Sequence, residues 1–319
     1  MKQYLKKIKK FSKKKSILIV GATGFIGSNL LDYLNKSNYN ITAISKKNNL
    51  KLKYKNIKHI KLNISKFKEL KNKIKHRYDV IINLSGYVDH KNKSKVYDVH
   101  YTGAKNLIDF FKDKNIDQFI QIGSSIEYGK SKSPHLEPKT LKIFNTFSHY
   151  GNAKYKISKY ILNLYKKENF PFIILRPYII YGPGQTIDRL IPQSIVSCLN
   201  DKEFRCSSGV QKRDFIYISD FNNLIKIIID KGISGEIFNV GTGKPIRVKT
   251  VINLIKKKTN LGKPIFGKIS LRRDEIINFY PNINKVKKIL KWKPKIKFEK
   301  GIDKTINYYR KMKTGEKKF

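Results

Sequence analysis

The sequence is poor in cysteine, with only Cys198 and Cys206 among its 319 residues. So few thiols exclude a disulfide framework, and we expect a reducing, cytoplasmic compartment. The six histidines do not have the spacing of metal ligands, so no metal site is predicted. No apolar run reaches the roughly 18 residues that a membrane-spanning helix needs, and no transmembrane segment is predicted.

Acidic residues are also scarce, since 23 of them stand against 69 lysines and arginines, for a net charge of +46. The excess is mostly lysine, scattered from end to end, with few arginines and no compact basic element. We therefore predict a solvated basic surface rather than a specific nucleic-acid site. Such a surface would attract an anionic substrate or cofactor to any cleft.

Residues 1–15 are basic, with Tyr4, Leu5, Ile8 and Phe11 at roughly helical intervals. This spacing leaves open a contact with an anionic membrane surface. The segment lacks the apolar stretch of a signal peptide, and a frayed basic tail is the favoured interpretation.

The stretch Ile17-Leu-Ile-Val-Gly21-Ala-Thr-Gly24-Phe-Ile-Gly27 reads as a buried strand that passes through a glycine turn into a helix. In this arrangement the first glycine permits a tight turn, the second admits a pyrophosphate, and the third lets the helix pack on its strand. The turn predicts a dinucleotide site. Its cofactor-binding candidates are Gly21, Thr23, Gly24, Phe25, Ile26 and Gly27.

A second strand is predicted over residues 39–44, and the next residues are Ser45, Lys46 and Lys47. At this point a dinucleotide fold that prefers NAD carries an acidic residue, which binds the ribose hydroxyls of adenosine. A missing carboxylate with ammonium groups beside it suits a 2′-phosphate better, so the sequence favours NADP over NAD. The alternative is that these are ordinary surface lysines.

Further strands are predicted at 57–62, 79–84, 118–122, 173–175 and 236–240, with helical segments such as 102–112 between strands. This alternation predicts an α/β fold, a Rossmann-type doubly wound parallel sheet. We predict a NAD(P)-binding domain at residues 16–176 that also receives residues 214–243. Glycine and proline become frequent after residue 177, and a smaller C-terminal substrate lobe is predicted at residues 177–213 and 244–319.

Ser124 and Ser125 follow a predicted strand, and Tyr150 and Lys154 stand four residues apart, on one face of a helix. A phenol has a pKa of about 10, which an adjacent ammonium lowers toward neutrality. A nearby serine hydroxyl can hold both the phenol and a substrate oxygen. These residue types predict proton transfer.

A rival pair, Tyr155 and Lys159, has the same spacing. On a helical projection Ala153, Ile157, Ile161 and Leu164 form an apolar stripe that includes or adjoins Tyr150 and Lys154. Tyr155 and Lys159 lie on the other side, where we expect them to face solvent.

Seven segments together resemble the extended short-chain dehydrogenase/reductase family, the group of nucleotide-sugar epimerases, dehydratases and ketoreductases. The resemblance covers almost the whole chain. The segments are Gly21-Ala-Thr-Gly-Phe-Ile-Gly27, Asp79-Val-Ile-Ile-Asn-Leu-Ser-Gly86, Gly123-Ser-Ser-Ile-Glu-Tyr-Gly129, Tyr150-Gly-Asn-Ala-Lys154, Leu175-Arg-Pro-Tyr-Ile-Ile-Tyr-Gly-Pro-Gly184, Arg213-Asp-Phe-Ile-Tyr-Ile-Ser-Asp220 and Phe238-Asn-Val-Gly-Thr-Gly243.

The resemblance implies a catalytic set of Ser124, Tyr150 and Lys154, of which the last two also contact the cofactor. Ser45 and Lys46 are cofactor-binding candidates from their place after the second strand. The resemblance implies further cofactor contacts from Asn63, Ile64, Leu84, Ser85 and Gly86, with Asn63 in place of the usual Asp. It implies that the nucleotide-sugar substrate contacts Ser125, Arg213 and Arg272, because guanidinium groups match phosphate oxygens. It also implies a homodimer whose helix bundle includes the Tyr150 helix.

Family members that remove water from the sugar carry an acidic residue in the two positions after the catalytic Ser or Thr. Here these positions are Ser125 and Ile126, which disfavours dehydration. Ile179 replaces an Asn that touches the nucleotide in many epimerases, and His100 replaces a structural Asn. The sugar is therefore left open.

The favoured hypothesis is an NADP-dependent reductase of a 4-keto nucleotide sugar, with Tyr150 as proton donor; the stretch from Ser124 to Gly129 also resembles that of some 4-ketoreductases. The first alternative is a nucleotide-sugar 4-epimerase with tightly bound NAD. The second is a non-catalytic regulator that binds a dinucleotide, which the intact Ser124, Tyr150 and Lys154 disfavour.

Overall fold

A computed structural model describes residues 14–46, 54, 57–89, 91–138, 148–272 and 275–315. Its strands are β1 (Lys15–Val20), β2 (Tyr39–Ser45), β3 (Lys58–Lys61), β4 (Val80–Asn83), β5 (Gln118–Ile122), β6 (Phe172–Pro177), β7 (Ile179–Tyr181), β8 (Glu203–Arg205), β9 (Lys212–Arg213), β10 (Phe215–Tyr217), β11 (Glu236–Val240), β12 (Ile246–Arg247), β13 (Lys263–Ile265) and β14 (Asn278–Phe279).

The α-helices are α1 (Phe25–Leu34), α2 (Phe67–Lys73), α3 (Lys93–Tyr97), α4 (Ala104–Phe111), α5 (His149–Glu168), α6 (Leu190–Leu199), α7 (Ile218–Lys231), α8 (Val248–Thr259), α9 (Asn284–Leu290) and α10 (Phe298–Lys313). A π-helical segment (Asp98–Gly103) precedes α4, and a 3-10 turn (Ser125–Tyr128) follows β5. The predicted helix over residues 102–112 therefore begins inside the π-helical segment.

Seven strands form one parallel sheet in the order β11-β6-β5-β4-β1-β2-β3. The chain winds outward in both directions from β1 and β4, which is the strand order of a doubly wound dinucleotide-binding sheet. The predicted fold class is confirmed, and the predicted strands agree with the observed ones to within two residues at each end.

The central strands form because they are continuous apolar runs that the sheet buries on both faces. Ile17, Leu18 and Ile19 of β1 have no exposed surface. The apolar stripe predicted on α5 is also buried, with Ala153 and Ile157 fully inaccessible. Because these apolar runs are buried, the polar residues lie beyond the ends of the strands and beside the apolar stripe of α5.

The chain forms two compact units. The first comprises the described residues up to Gln121, together with Tyr160–Ile173 and Gly232–Gly235. The second comprises Ile122–Lys159, Ile174–Lys231 and the described residues from Glu236 onward. The glycine turn lies in the first unit, and Ser124, Tyr150 and Lys154 lie in the second.

Three further features concern only the part of the chain that the structure describes. No helix there has both the length and the apolarity needed to cross a membrane. No group of three or more His, Cys, Asp or Glu side chains is arranged to hold a metal ion. Cys198 and Cys206 are both buried free thiols, as their small number predicts.

Candidate active site

The glycine turn connects β1 to α1, and two of its glycines are required by the protein itself. Gly21 has a φ of +82°, and a Cβ there would lie 2.7 Å from the backbone carbonyl of Leu84. A Cβ on Gly27 would lie 2.3 Å from the carbonyl oxygen of Gly21. Glycine at these positions lets the turn approach the end of β4 and lets α1 pack on the turn.

Gly24 differs because nothing in the described part of the protein requires it to be glycine. Its φ of −74° and ψ of 171° suit any residue, and a Cβ would meet only the Gly21 carbonyl oxygen, at 3.4 Å. Among the described residues no side chain caps the amide groups at the start of α1. The missing Cβ therefore leaves space beside free helix N-terminal amides, which fits the pyrophosphate of a dinucleotide.

Gly24→Ala is expected to weaken dinucleotide binding by about tenfold or more without lowering the stability of the free protein. The added methyl fills space that only a ligand would need. Titration calorimetry with NADPH and NADH, beside thermal unfolding of the ligand-free variant, measures the two effects separately. Equal dinucleotide affinity in wild type and variant would show that the space beside Gly24 is not used by the dinucleotide.

The other turn residues predicted to bind the cofactor are placed around this space or beside it. Thr23 is exposed, and Phe25 and Ile26 are half-buried at the start of α1. Leu84 and Ser85 follow β4, where the Asn83 side chain accepts hydrogen bonds from the Ser85 amide and hydroxyl at 3.1 and 2.6 Å.

Two polar residues hold the segment after β4: Asn83, to which sequence reasoning assigned no role, and His100, which it identified as the replacement of a structural Asn. Asn83 also donates to the Gln121 side chain at 2.9 Å. The buried His100 bonds the backbone of Tyr87 through Nε2, and a Cβ on the exposed Gly86 would lie 3.6 Å from its ring. His100 thus occupies a positioning role, as its place in the sequence pattern suggests.

The residues after β2 and β3 are partly engaged with one another. Ser45 is buried, and its hydroxyl bonds His59 Nε2 at 2.9 Å. Lys46 is about half exposed and lies 3.9 Å from Asp98. Lys47, the third member of the predicted phosphate-binding group, lies outside the described residues.

Asn63 and Ile64, predicted to contact adenine, lie just after β3. The Asn63 side chain accepts from the Ser65 backbone amide at 3.1 Å. The backbone amide of Asn63 donates to the Glu69 carboxylate at 3.0 Å. Ile64 is buried, and a Cβ on Gly103 would lie 2.8 Å from its side chain. The π-helical segment that contains Gly103 therefore packs directly on Ile64.

In the second unit, the structure brings Ser124, Tyr150 and Lys154 into one cluster. Ser124 lies two residues after β5 in an extended conformation, and its Oγ accepts from the Ile126 amide at 3.3 Å. A hydrogen bond from this hydroxyl reaches the Tyr150 phenol and acts against the larger effect of burial on its pKa. Ser148 caps the start of α5 by accepting from the Gly151 amide at 3.0 Å, which fixes the first helical turn under Tyr150.

Lys154 is 3% exposed, and its Nζ donates to the carbonyl oxygen of Ile122 at 2.6 Å. Its Nζ lies 5.8 Å from the centre of the Tyr150 ring. Burial lowers the pKa of Lys154 to about 8, although the charge of Glu127 acts in the opposite direction. The ammonium is therefore close to Tyr150 but directed at the backbone.

The pKa of Tyr150 is raised, not lowered as the sequence predicts. Burial is the main cause and the Glu127 charge adds to it, against the Ser124 hydrogen bond and the charge of Arg189. The expectation of a depressed phenol pKa is therefore wrong for the free protein. The half-buried phenol beside the Ser124 hydroxyl therefore stays protonated at neutral pH in the free protein and has a proton to donate.

Lys154→Met is expected to remove a pH dependence of stability between about pH 8 and pH 10.5. In that range Lys154 is protonated in the unfolded chain but not in the folded one, so the contribution of Lys154 to wild-type stability rises with pH, by about 3 kcal/mol in total. Denaturant unfolding of both proteins at both ends of the range measures this difference.

The matched control is Lys159→Met, since Lys159 is exposed on the same helix. The control should follow the wild type across the whole range. A stability difference between wild type and Lys154→Met that stays constant with pH contradicts the lowered pKa of Lys154.

The rival pair is not arranged as the sequence predicts. Lys159 is exposed, as expected, but Tyr155 is half-buried and its hydroxyl is inaccessible. Tyr155 is partly buried by contacts with other parts of the fold, which a projection of one isolated helix cannot show. Neither residue joins the cluster of Ser124, Tyr150 and Lys154.

The predicted substrate residues are held differently from one another. Ser125 is buried in the turn after Ser124. Arg213 pairs with Glu275, and its Nη1 donates to the carbonyl oxygens of Lys212 and Ile276 at 2.8 and 2.7 Å. Arg272 is exposed, and its charge, together with burial, lowers the pKa of Arg213. The two arginines therefore lie within electrostatic reach of one another.

Comparison with known proteins gives three findings of similarity. The chain is 29% identical over 221 residues to the dTDP-D-glucose 4,6-dehydratase of Mus musculus, covering 67% of this chain and 61% of that relative's length. It is 28% identical over 309 residues to the CDP-abequose synthase of Salmonella muenchen, covering 92% of this chain and 97% of the relative. The fold matches UDP-glucose 4-epimerase of Thermotoga maritima in complex with UDP-glucose, with a TM-score of 0.85, 23% identity, and coverage of 93% of this chain and 99% of that chain.

A family model, described as the NAD dependent epimerase/dehydratase family, matches residues 17–241. The match contains the glycine turn, the Ser124 turn and the Tyr150 helix. It extends over more than half of the chain, and the protein therefore belongs to the NAD-dependent epimerase/dehydratase family.

Proposed function

We propose that this member of a nucleotide-sugar enzyme family is an NADPH-dependent reductase of a 4-keto nucleotide sugar. The observation that carries the proposal is the cluster in which Ser124 bonds the Tyr150 phenol and the Lys154 Nζ lies 5.8 Å from the centre of the Tyr150 ring. Reduction of a ketone needs a proton for the new hydroxyl group. The Tyr150 phenol is protonated at neutral pH and can supply that proton.

The turn after β5 supports reduction over dehydration. Neither Ser125 nor Ile126 can act as an acid or base at neutral pH. Glu127 comes next, but it has no exposed surface and both of its oxygens are occupied, by the Ser124 amide and by Arg176. The turn therefore offers no free carboxyl group to protonate a leaving hydroxyl.

In the proposed mechanism the side chains divide the work of proton transfer. The Ser124 Oγ already accepts from the Ile126 amide, so its proton is left to bond the ketone oxygen of a substrate. Tyr150 donates its proton to the same oxygen as negative charge develops there. Bound NADPH would supply the hydride. Lys154, as an ammonium group, would hold the ribose hydroxyls of the nicotinamide half and stabilise the phenolate that Tyr150 leaves.

The preference for NADP forms part of the proposal. No carboxylate ends β2, where Ser45 is bonded to His59, and Lys46 beside it is about half exposed. A carboxylate at residue 45 would bond two ribose hydroxyls but would repel a 2′-phosphate.

Ser45→Asp is expected to shift the ratio of NADPH to NADH affinity toward NADH by about tenfold or more. Lys46→Met should weaken NADPH binding alone. Titration of each variant with both cofactors measures the ratio, and a ratio unchanged in both variants would show that these residues do not select the cofactor.

The proposed substrate ends in a nucleoside diphosphate, and Arg213 with Arg272 would bind its pyrophosphate. Arg213 is already paired with Glu275, so the phosphate would share or replace that carboxylate. Arg272 is exposed and its charge acts on Arg213, which supports a shared role of the two arginines in that contact.

The proposed function is tested by mixing purified protein with NADPH and 4-keto-6-deoxy nucleotide sugars of several nucleotides. We expect a loss of NADPH absorbance that depends on the sugar. No NADPH consumption, together with interconversion of a UDP-hexose without added cofactor, would instead identify a 4-epimerase.

A further inference from the structure

We propose that Glu127 is a positioning residue, whose carboxylate is anchored by Arg176 and aims the Ser124 hydroxyl at the reacting oxygen. This inference rests on the proposed function. Glu127 contacts neither substrate nor cofactor in this account, and it acts through Ser124.

The first oxygen of Glu127 holds the backbone of Ser124. Oε1 accepts from the Ser124 amide at 2.7 Å. A Cβ on Gly123 would lie 2.4 Å from the same oxygen, so the carboxylate is in close contact with the two residues that follow β5. Together with the Ser124 Oγ, which accepts from the Ile126 amide, this forms a capping box in a very short turn.

The second oxygen of Glu127 is held by β6. Oε2 accepts from Arg176 Nε at 3.1 Å and from Nη2 at 2.8 Å. The Arg176 side chain is 1% exposed and that of Glu127 is 0% exposed. The Arg176 guanidinium lies 4.7 Å from the ring centre of Tyr128. Two donors of one guanidinium converge on this single oxygen, so the carboxylate is held against a strand of the central sheet.

Fixing the amide and Oγ of Ser124 leaves one direction for its proton. That proton bonds Tyr150 in the free protein, and a substrate ketone oxygen would take the same bond. Loss of the carboxylate would release the turn after β5, and Ser124 would no longer be held toward Tyr150. The cost would fall on the chemical step, since no substrate contact is removed.

The carboxylate also acts on the cluster through its charge. The charged and titratable groups that face it are Arg176 from β6, Tyr128 from its own turn, and Tyr150 with Lys154 from α5. The Glu127 charge raises the pKa of Tyr150 and of Lys154. Arg189 opposes it at Tyr150. Removing the charge should therefore lower the pH at which Tyr150 loses its proton.

Glu127→Gln is the direct test, because the amide keeps the size of the side chain but can satisfy only one of its two partners through oxygen. We expect kcat for ketone reduction to fall by about 10- to 100-fold, with KM for the nucleotide sugar within about twofold. The alkaline limb of the kcat profile should move to lower pH. A variant with wild-type kcat and an unmoved alkaline limb would overturn the inference.

A double-mutant cycle with Ser124→Ala shows whether Glu127 acts through Ser124. In the Ser124→Ala background, Glu127→Gln should reduce kcat by less than about twofold. The same loss in both backgrounds would overturn the positioning role. The control is Asp220→Asn. Asp220 is a buried carboxylate in the same unit that accepts hydrogen bonds from two backbone amides, each at 3.0 Å. This variant should leave kcat and its pH profile unchanged.

If Glu127→Gln does not fold, Arg176→Lys is the second test. A lysine keeps the positive charge but cannot hold the Glu127 carboxylate in one orientation with two donors. It should lower kcat by several-fold at constant KM, again without further loss in the Ser124→Ala background. An undiminished kcat in Arg176→Lys would contradict the anchoring of Glu127 by Arg176.

A substrate-free measurement separates this inference from the proposed function. Titration of [13C]tyrosine-labelled protein by NMR, with the Tyr150 signal assigned from Tyr150→Phe, gives the pKa of Tyr150 directly. If the wild type reduces no 4-keto sugar, the proposed function fails on its own. A Tyr150 pKa lower in Glu127→Gln than in wild type still supports the link from Glu127 to the cluster, and an equal pKa refutes it.

Discussion

Tyr150→Phe is expected to lower kcat for ketone reduction by about three orders of magnitude, while NADPH affinity changes little. Phenylalanine keeps the ring in place but removes the phenol hydroxyl. Within the cluster of Ser124, Tyr150 and Lys154, that hydroxyl is the proton donor bonded by Ser124. Lys154 cannot replace it, because its Nζ is directed at the Ile122 carbonyl oxygen. Steady-state kinetics with saturating NADPH and calorimetric titration of the cofactor measure the two effects.

Tyr155→Phe provides the matched control for this prediction. It removes the same hydroxyl group from the same helix, at a position outside the cluster where that hydroxyl is buried without a partner in the described part of the chain. Activity should stay within about twofold of wild type. If both variants kept a tenth or more of the wild-type rate, Tyr150 would not be the proton donor.

Gly27→Ala is expected to destabilise the protein by about 4 kcal/mol, the largest stability effect in this account. The new methyl would lie 2.3 Å from the Gly21 carbonyl oxygen and 2.8 Å from the Cα of Ala22, both backbone atoms that cannot move aside. Helix α1 would have to shift away from the glycine turn. Urea unfolding at constant slope gives the change in free energy.

The control for Gly27→Ala is Gly232→Ala. Gly232 has a φ of +62°, but a Cβ there would meet nothing within 4 Å. That variant should lose only the backbone preference of glycine, about 1 kcal/mol. Equal losses in the two variants would show that close packing of α1 is not the reason for Gly27.

The sequence is sufficient to predict those features that depend on local pattern. The strands of the sheet are short apolar runs with clear ends, and the fold class follows from their alternation with helices. Gly21 and Gly27 could be assigned to a tight turn and to helix packing because their spacing alone dictates these roles. The i, i+4 spacing of Tyr150 and Lys154, with the apolar stripe beside them, likewise places both on the buried side of α5.

Features that depend on distant packing could not be predicted in the same way. Glu127 and Arg176 are 49 positions apart, and only the fold brings β6 to the turn after β5. A Ser-x-x-Glu capping box was present in the sequence as a signal for Glu127, but Arg176 had none beyond its place in the Leu-Arg-Pro motif. The direction of the pKa shift of Tyr150 was wrong because burial and the Glu127 charge outweigh what spacing suggests.

The central claim is that hydride and proton are added to the carbonyl carbon and oxygen of a 4-keto nucleotide sugar. It is tested most directly with [4,4-2H2]NADPH and mass spectrometry of the sugar product. The account predicts a reduced sugar one mass unit heavier than the product from unlabelled NADPH, with deuterium at C4 and one labelled cofactor oxidised for each sugar reduced. Recovery of unreduced 4-keto sugar with no oxidation of NADPH, together with inversion at C4 of a UDP-hexose without deuterium incorporation, would contradict the account.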